Sequence, residues 1–460
     1  MRMKPGRNFL LGLCSMLALG FLYYSSGRIS LRGWGHKSLY DKQGFLLKLD
    51  GSLPLELMYK YGNLSEGACK PGFAAAKMTA VYPKFTKLAP MFLDPNYKRF
   101  SKIGDCLPPF GVKSQEKIID ILLSATKSYG LGEEVDSLNC KTCIIVGNGG
   151  ILANKSLGQK IDEFDVVVRL NEAPVKGFEK DVGSKTTMRI TYPEGAIQKT
   201  ERYETQSLFV LSAFKALDLK WLRHMVFNQR LRSTDGFWKS VAKYVPREPS
   251  DMRILNPYFI QEASFKLIGL PQNNGQMGRG NIPTLGAVAI TMALHNCDEV
   301  AVAGFGYNMS TPHAPLHYYE KIRMSAIKEV HPHLETEVHP HLETEKRERR
   351  PSMLQTAAGA KTQKLKKRQS DHATAPPPPS APPAAHPAPP LATAPTTPED
   401  ADADADADTA GPTPVAWDQT TIFAETSWTH NISKEKEFLA KLVKAGVIQD
   451  WTGGICGAGC

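Results

Sequence analysis

Read from its N-terminus, the chain opens on an apolar block and then settles into short apolar strings separated by polar or glycine-rich turns. No charged residue occurs between Asn8 and Gly27, and Phe9 to Tyr24 is almost wholly apolar, long enough to cross a thin bilayer. Arg2, Lys4 and Arg7 precede this block, and Tyr23 and Tyr24 stand where an interfacial belt belongs. No small-x-small cleavage site follows. The pattern therefore predicts an uncleaved signal anchor over residues 9–27 behind a cytoplasmic tail of residues 1–8. Residues 28–100 are mixed in pattern and read as a stem and the edge of a domain.

Two apolar strings in the middle of the chain have the length and β-branched content of buried strands. The first, Cys143-Ile-Ile-Val146, runs into Gly147-Asn-Gly-Gly150. The next eleven residues, Ile151 to Ile161, carry apolar residues at helical spacing, and Asp165-Val-Val-Val-Arg-Leu-Asn171 is the second strand. Strand, glycine turn and helix is the arrangement by which an α/β sheet brings backbone N–H groups against a phosphate. Both strands end in asparagine, Asn148 and Asn171, and an amide there can donate and accept at once, which suits a ribose or phosphate oxygen. Farther on, Asn281 to Leu294 predicts a buried helix, apolar on all sides, with Pro283 suited to its first position. Its N-terminus would aim Thr284 and neighbouring N–H groups at an anion. Cys297 and a strand from Val300 to Tyr307 follow. These elements predict an α/β fold with a mostly parallel sheet. A dinucleotide fingerprint is not met, because GxGxxG would need glycine where Leu152 stands, and Glu172 is the nearest acid at the end of the second strand.

Charge and cysteine usage narrow the class. The formal charge of +10 raises nucleic acid as a partner, but the positives are scattered. The compact run Lys361 to Arg368 lies inside low-complexity sequence, so no nucleic-acid partner is expected. Cys140 and Cys143 form a CxxC pair, yet no second ligand pair of similar spacing exists, so no metal site is expected. Sequons at Asn63, Asn154, Asn308 and Asn431 agree with a lumenal body. Late in the chain, the octapeptide Val330 to Glu337 is repeated as Val338 to Glu345. A basic run, a Pro/Ala-rich stretch from Ala373 to Pro398 and Asp-Ala alternation from Asp400 to Asp408 follow. None of this can bury a core, so residues 330–426 read as a disordered insertion.

Taken together, four segments resemble, in order, the motifs of the eukaryotic sialyltransferases, glycosyltransferase family 29. Cys140 to Thr187 resembles the long motif and Asn281 to Phe305 the short one. His317-Tyr-Tyr-Glu320 is similar to the third motif, and His430 with Glu435, spaced H-x4-E, to the very short motif. Within the family the wording is nearest to the β-galactoside α-2,3-sialyltransferases of the N-acetyllactosamine-acting branch, carried by Val175 to Thr187 and Arg189 to Gly195.

The resemblance implies a single Rossmann-like domain of the GT-A type over residues 101–329, resumed at 427–460. It implies inversion at the anomeric carbon without DxD, metal or other cofactor; the Asp-Ala-Asp repeats mimic DxD but, lying in a solvated low-complexity stretch, read as inert. Carried over by motif, Asn148, Asn171, Thr284, Gly286 and Gly306 would hold CMP-sialic acid, His317 would contact the phosphate, and His430 would be the general base. The implied partners are galactose-terminated glycoprotein or glycolipid acceptors and the Golgi membrane, with a type II topology and a lumenal catalytic domain. The family joins its long and short motifs by a disulfide at the positions of Cys143 and Cys297. Cys140 is then left for an upstream partner, with Cys69 preferred to Cys106, and Asn63 and Asn308 are candidate glycosylation sites. A lactosylceramide-acting enzyme and a catalytically silent, glycan- or partner-binding relative are the alternative readings.

The family separates its third and very short motifs by little more than a dozen residues, whereas here the tract 330–426 intervenes. Closing such a loop instead of a short one costs only about 2 kcal/mol, because closure entropy grows logarithmically with length. Deleting residues 330–426 is therefore expected to preserve folding and CMP affinity, with transfer activity equal or higher. Titration of CMP into the deletion variant checks this, and lost affinity or failure to fold would show that the tract packs on the domain.

Overall fold

Short strings of valine, isoleucine and leucine form a seven-stranded sheet in a computed structural model of the chain. The structure describes residues 13–21, 38–86, 89–231, 236–275, 277–278, 280–306, 311–326 and 430–457. Asn308, the 330–426 tract and all of the apolar N-terminal block except residues 13–21, which are helical, lie outside these. No helix among the described residues is long and apolar enough to cross a membrane. The strands are β1 (Thr142–Val146), β2 (Val166–Leu170), β3 (Met188–Thr191), β4 (Leu208–Leu211), β5 (Met252–Ile254), β6 (Glu299–Ala303) and β7 (Gln449–Asp450). Their order is β5-β4-β3-β2-β1-β6-β7, and every neighbouring pair is parallel. Strands covered on both faces need apolar side chains on both, which is why β1 and β2 read as unbroken apolar runs.

The longer helices are α1 (Leu55–Tyr61), α2 (Phe73–Val81), α3 (Glu116–Thr126), α4 (Gly158–Asp162), α5 (Ala216–Val226), α6 (Tyr258–Glu262), α7 (Leu285–Asn296) and α8 (Ile432–Lys444). From Leu285 through His295 every residue of α7 is buried, as its all-round apolar pattern predicts. The chain builds β1 to β5 in one direction, then returns through α7 to lay β6 on the other side of β1. The strand order reverses at β1 and β6, so a crevice opens at their carboxyl ends.

The helix expected over residues 151–161 does not form as one element. A 3₁₀ turn at Gly150–Leu152 gives way to left-handed Asn154 (φ 63°) and Ser156 (φ 53°), and α4 covers only Gly158–Asp162. The Asp181 carboxylate is the cause: it accepts the N–H groups of Asn154 and Ser156, each at 2.8 Å, and holds them in a loop. The helix N-terminus aimed at the crevice is therefore that of α7, not one following β1.

The packed domain begins well before residue 101. Phe45 is fully buried, stacks on Tyr82 at 4.7 Å and meets Phe438 of α8 edge-on at 6.2 Å; Met78, Phe92 and Leu93 join the same core. Cys143 is joined to Cys297 and Cys69 to Cys140, and Cys106 is a free thiol. Asp298 ties the same junction together by accepting the N–H groups of Gly72 and Lys141, both at 2.7 Å.

The last helix returns across the whole sequence to meet α7. Asn431 caps α8 by accepting the N–H of Lys434 at 3.1 Å. One turn in, the buried Glu435 carboxylate accepts the Thr284 N–H at 2.9 Å and the Thr284 Oγ–H at 2.6 Å. Thr284 in turn caps α7, its Oγ accepting the N–H of Ala287 at 3.3 Å. Burial pushes the Glu435 carboxyl up to about 7, against the opposing pull of the two Thr284 hydrogen bonds.

A carboxyl whose folded pKa lies above its ordinary value of 4.5 contributes stability that is complete below that pH and lost as pH rises toward 7. Between those limits the wild-type protein is expected to lose on the order of 3 kcal/mol that an E435Q variant does not lose. E435A, which strips both Thr284 donors of their acceptor, should cost about 1–3 kcal/mol. Urea unfolding of the three proteins across this pH range checks both statements, and identical slopes for wild type and E435Q would rule the first out.

Candidate active site

Two groups of predicted site residues meet at the crevice, one after β1 and one ahead of α7. After β1, the backbone of Gly147 and Gly149 runs against the end of β6: Gly147 N–H donates to Ala303 O at 2.8 Å and Gly149 N–H to Gly304 O at 3.0 Å. A Cβ on either glycine would stand 2.6 Å from Gly304 O, so the approach is backbone on backbone and admits no side chain. The His317 segment closes over this turn, pairing with Gly149, while Tyr318 N–H donates to Asn148 O at 3.1 Å. The Asn148 Nδ2 donates to Tyr319 Oη at 3.4 Å, and its buried Oδ1 has no partner among the described residues. An amide oxygen left in that condition is a hydrogen-bond acceptor waiting for a donor.

His317 is held by its neighbours in the same motif. Its ring stacks on Tyr319 at 5.4 Å, and Nδ1 donates to Glu320 Oε2 at 3.1 Å. Tyr318 Oη donates to Pro174 O at 2.6 Å, and burial pushes its hydroxyl up to about 12. Burial, helped by the Glu320 charge, keeps Tyr319 fully protonated as well.

Ahead of α7 the geometry is set by the Glu435–Thr284 pair. The N–H and O–H of Thr284 are both taken by Glu435, so the helix start is left with the N–H groups of Leu285 and Gly286, which have no partner among the described residues. His430, half-buried just outside the α8 cap, donates from Nδ1 to Ile282 O at 2.8 Å. A carbonyl can only accept, so the proton sits on Nδ1 and Nε2 carries the lone pair of a neutral ring. Burial lowers the His430 pKa below its ordinary 6.5, against the raising effect of the Ile282 bond.

Phe305 is the wall common to the two groups. A Cβ on Gly286 would meet its ring at 2.6 Å and one on Gly147 at 3.1 Å. Gly306, in the left-handed region at φ +99°, is pressed on the Gly453–Gly454 turn so closely that a Cβ would lie 1.9 Å from Gly454 O. Both predicted glycines thus have packing reasons as well as any role toward a ligand.

Asn171 lies at the end of β2 in the left-handed region (φ 52°), with its Oδ1 accepting from Thr191 Oγ at 3.4 Å. Gly195 makes room for that side chain, since a Cβ there would stand 2.4 Å from Oδ1. Its backbone is fixed from below by Arg189, a residue on β3 whose Nη1 donates to Asn171 O at 2.8 Å and Ala173 O at 3.0 Å. Glu204 pairs with the same guanidinium; burial would raise its carboxyl, but the Arg189 charge and hydrogen bonds hold it below its ordinary value. Sequence reasoning missed Arg189, Glu204, Tyr319 and the Thr284 contact of Glu435. The available signal was a charged residue inside an apolar strand, visible at both Arg169 and Arg189.

The profile described as glycosyltransferase family 29 (sialyltransferase) matches residues 93–347. A CMP-N-acetylneuraminate-beta-1,4-galactoside alpha-2,3-sialyltransferase from Homo sapiens is 62% identical over 339 residues, 70% of this chain and 90% of that protein. A lactosylceramide alpha-2,3-sialyltransferase from Rattus norvegicus is 40% identical over 268 residues, 56% of this chain and 68% of that one. A crystal structure of a mammalian sialyltransferase is 26% identical with a TM-score of 0.42, covering 56% of this chain and 90% of that one. The profile spans more than half of the chain and the human relative is covered almost end to end, so this protein belongs to glycosyltransferase family 29, the sialyltransferases.

Proposed function

We propose that the protein transfers sialic acid from CMP-sialic acid to the 3-hydroxyl of a terminal β-galactose on N-acetyllactosamine-type glycans of glycoproteins and glycolipids, with inversion and without a metal. The observation that carries the reading is the His430 tautomer, with Nδ1 committed to Ile282 O and the lone pair therefore on Nε2. The identity of 62% to a β-1,4-galactoside enzyme, against 40% to a lactosylceramide enzyme, favours the lactosamine branch.

The steps follow from the residues. Galactose O3 attacks the anomeric carbon as its proton passes to His430 Nε2, and the bond from that carbon to the phosphate oxygen breaks with both electrons leaving on CMP. A neutral imidazole is the form required, and the burial of His430 favours it. The departing phosphate is met by His317 and by the N–H groups of Leu285 and Gly286, unpartnered among the described residues, at the positive end of α7. Asn148 Oδ1 offers the nucleoside an acceptor, and Asn171, Gly286 and Gly306 shape the remaining wall. Thr284 acts through the clamp on Glu435. The apolar block at residues 9–27 and the disulfides support a type II protein of the Golgi membrane with this domain in the lumen.

H430A is expected to lower kcat by about 10²–10⁴-fold while CMP affinity is kept. For the wild type, the acid limb of kcat falls below pH 6.5, because protonating the base removes activity and its pKa is depressed. A pH–rate profile with CMP titrations on both proteins checks this; a limb above that value, or an active H430A, would assign the base elsewhere. Incubation with CMP-sialic acid, lactosamine and lactosylceramide in the presence of EDTA should give α-2,3-linked product on lactosamine at an undiminished rate. Product confined to lactosylceramide, or activity restored only by manganese, would overturn the acceptor or the metal-free assignment respectively.

A further inference from the structure

Trp238 is half exposed, with 50% of its surface open to solvent, in a fold that buries Trp221 completely. A single exposed aromatic needs no explanation by itself. This one belongs to a loop, residues 236–240, that is tied down at three points. Lys239 Nζ donates to Glu172 Oε1 at 3.3 Å, directly after Asn171 at the end of β2. Ser240 and Gln198, beyond β3, exchange two hydrogen bonds of 2.9 Å. The Phe237 ring lies 5.1 Å from Lys215 Nζ, and Lys215 also pairs with Glu194 beyond β3 at 2.7 Å and with Asp218 at 2.9 Å. Lys239 also stands over the Trp238 ring, 5.5 Å from its centroid, as a cation–π contact that restrains the indole.

All three tethers lead to the carboxyl ends of β2, β3 and β4, the same edge of the sheet as the crevice. The loop therefore stands at the edge of the sheet on which the crevice opens, on the β2–β4 side of it, and carries a partly exposed aromatic ring. An indole suits a pyranose ring, whose C–H bonds form an apolar face while its hydroxyls stay solvated, and it orders few torsions on contact. Glu194, which Lys215 links to this loop, has a buried Oε2 without a partner among the described residues and adds an unused acceptor to this wing. The galactose itself must bring O3 to His430, which is fixed to Ile282 ahead of α7 rather than to this loop. His430 and Trp238 thus stand on separate elements, one ahead of α7 and one after β2–β4, so a ligand that meets both reaches beyond the galactose that receives the sialic acid.

Resting on the proposed transferase reading, we infer that Trp238 is the platform for the acceptor sugar that follows the terminal galactose, and that it gives lactosamine its advantage over a simple galactoside. The test is acceptor kinetics of the full-length protein with lactosamine and with methyl β-galactoside, each with the donor KM measured alongside. For W238A the lactosamine KM is expected to rise about tenfold, the value corresponding to 1.4 kcal/mol. The methyl galactoside KM, the donor KM and CMP affinity should not change. W238F should recover most of the loss and W238L should not, since an apolar side chain without an aromatic face fills the space but offers no stacking surface. Equal rises for both acceptors, a rise in donor KM, or full rescue by leucine would overturn the assignment. A wild-type protein that transfers to neither acceptor would instead refute the transferase reading on which this rests.

Discussion

The site depends on one buried carboxylate. Glu435 accepts two hydrogen bonds from Thr284, 151 residues earlier, and thereby joins the first turn of α8 to the cap of α7. Thr284 can cap α7 and donate to Glu435 at once because a hydroxyl both accepts and donates. His430 stands just outside the α8 cap, and its ring is fixed to Ile282, two residues before Thr284. The position of His430, the start of α7 and the return of the segment carrying α8 are thus one arrangement. A carboxyl is costly in that setting, and its raised pKa records the cost.

Around this clamp the chemistry is placed by backbone rather than by reach of side chains. The ends of β1 and β6 approach so closely that Gly147, Gly149 and Gly304 leave no room for a Cβ between them. The crevice at the strand-order reversal then has amide hydrogens on one side and the Asn148 amide oxygen on the other. Phe305 fills the space between the two, so the apolar wall and the polar groups come from consecutive turns of the same loop system.

The buried arginines do similar work from beneath the sheet. Arg169 and Arg189 occupy equivalent positions on β2 and β3, in register with one another. Arg169 binds the carbonyls of Gly183 and Lys185, and Arg189 those of Asn171 and Ala173, so each satisfies loop carbonyls that the sheet leaves unpaired. Burial lowers the Arg169 pKa to about 10, with the neighbouring Arg189 charge adding to the effect, yet the guanidinium stays charged. Asn171 can then hold its left-handed conformation, which an asparagine tolerates better than most residues, without relying on a ligand.

How much of this was legible in the chain itself can be seen residue by residue. The apolar runs at β1, β2, α7 and β6 determined an α/β fold with a parallel sheet, because strands and helices covered on every side must be apolar on every side. The four spaced motifs pointed to Asn148, Asn171, Thr284, His317 and His430, which the fold brings to strand ends, to helix starts and, for His317, against the turn after β1 around the crevice. The helix expected after Gly150 failed because local periodicity cannot register Asp181, which captures the N–H groups of Asn154 and Ser156 from about 25 residues away. The nearness of residues 45–100 to the core was hidden for a related reason: Phe45 and Phe438 meet only when the chain's two ends converge. Likewise, nothing local to His430 states which nitrogen carries its proton, and nothing local to Trp238 states that its loop is fastened to three strand ends. Those facts are set by contacts between segments far apart in sequence, and only the folded chain brings such segments within hydrogen-bonding distance.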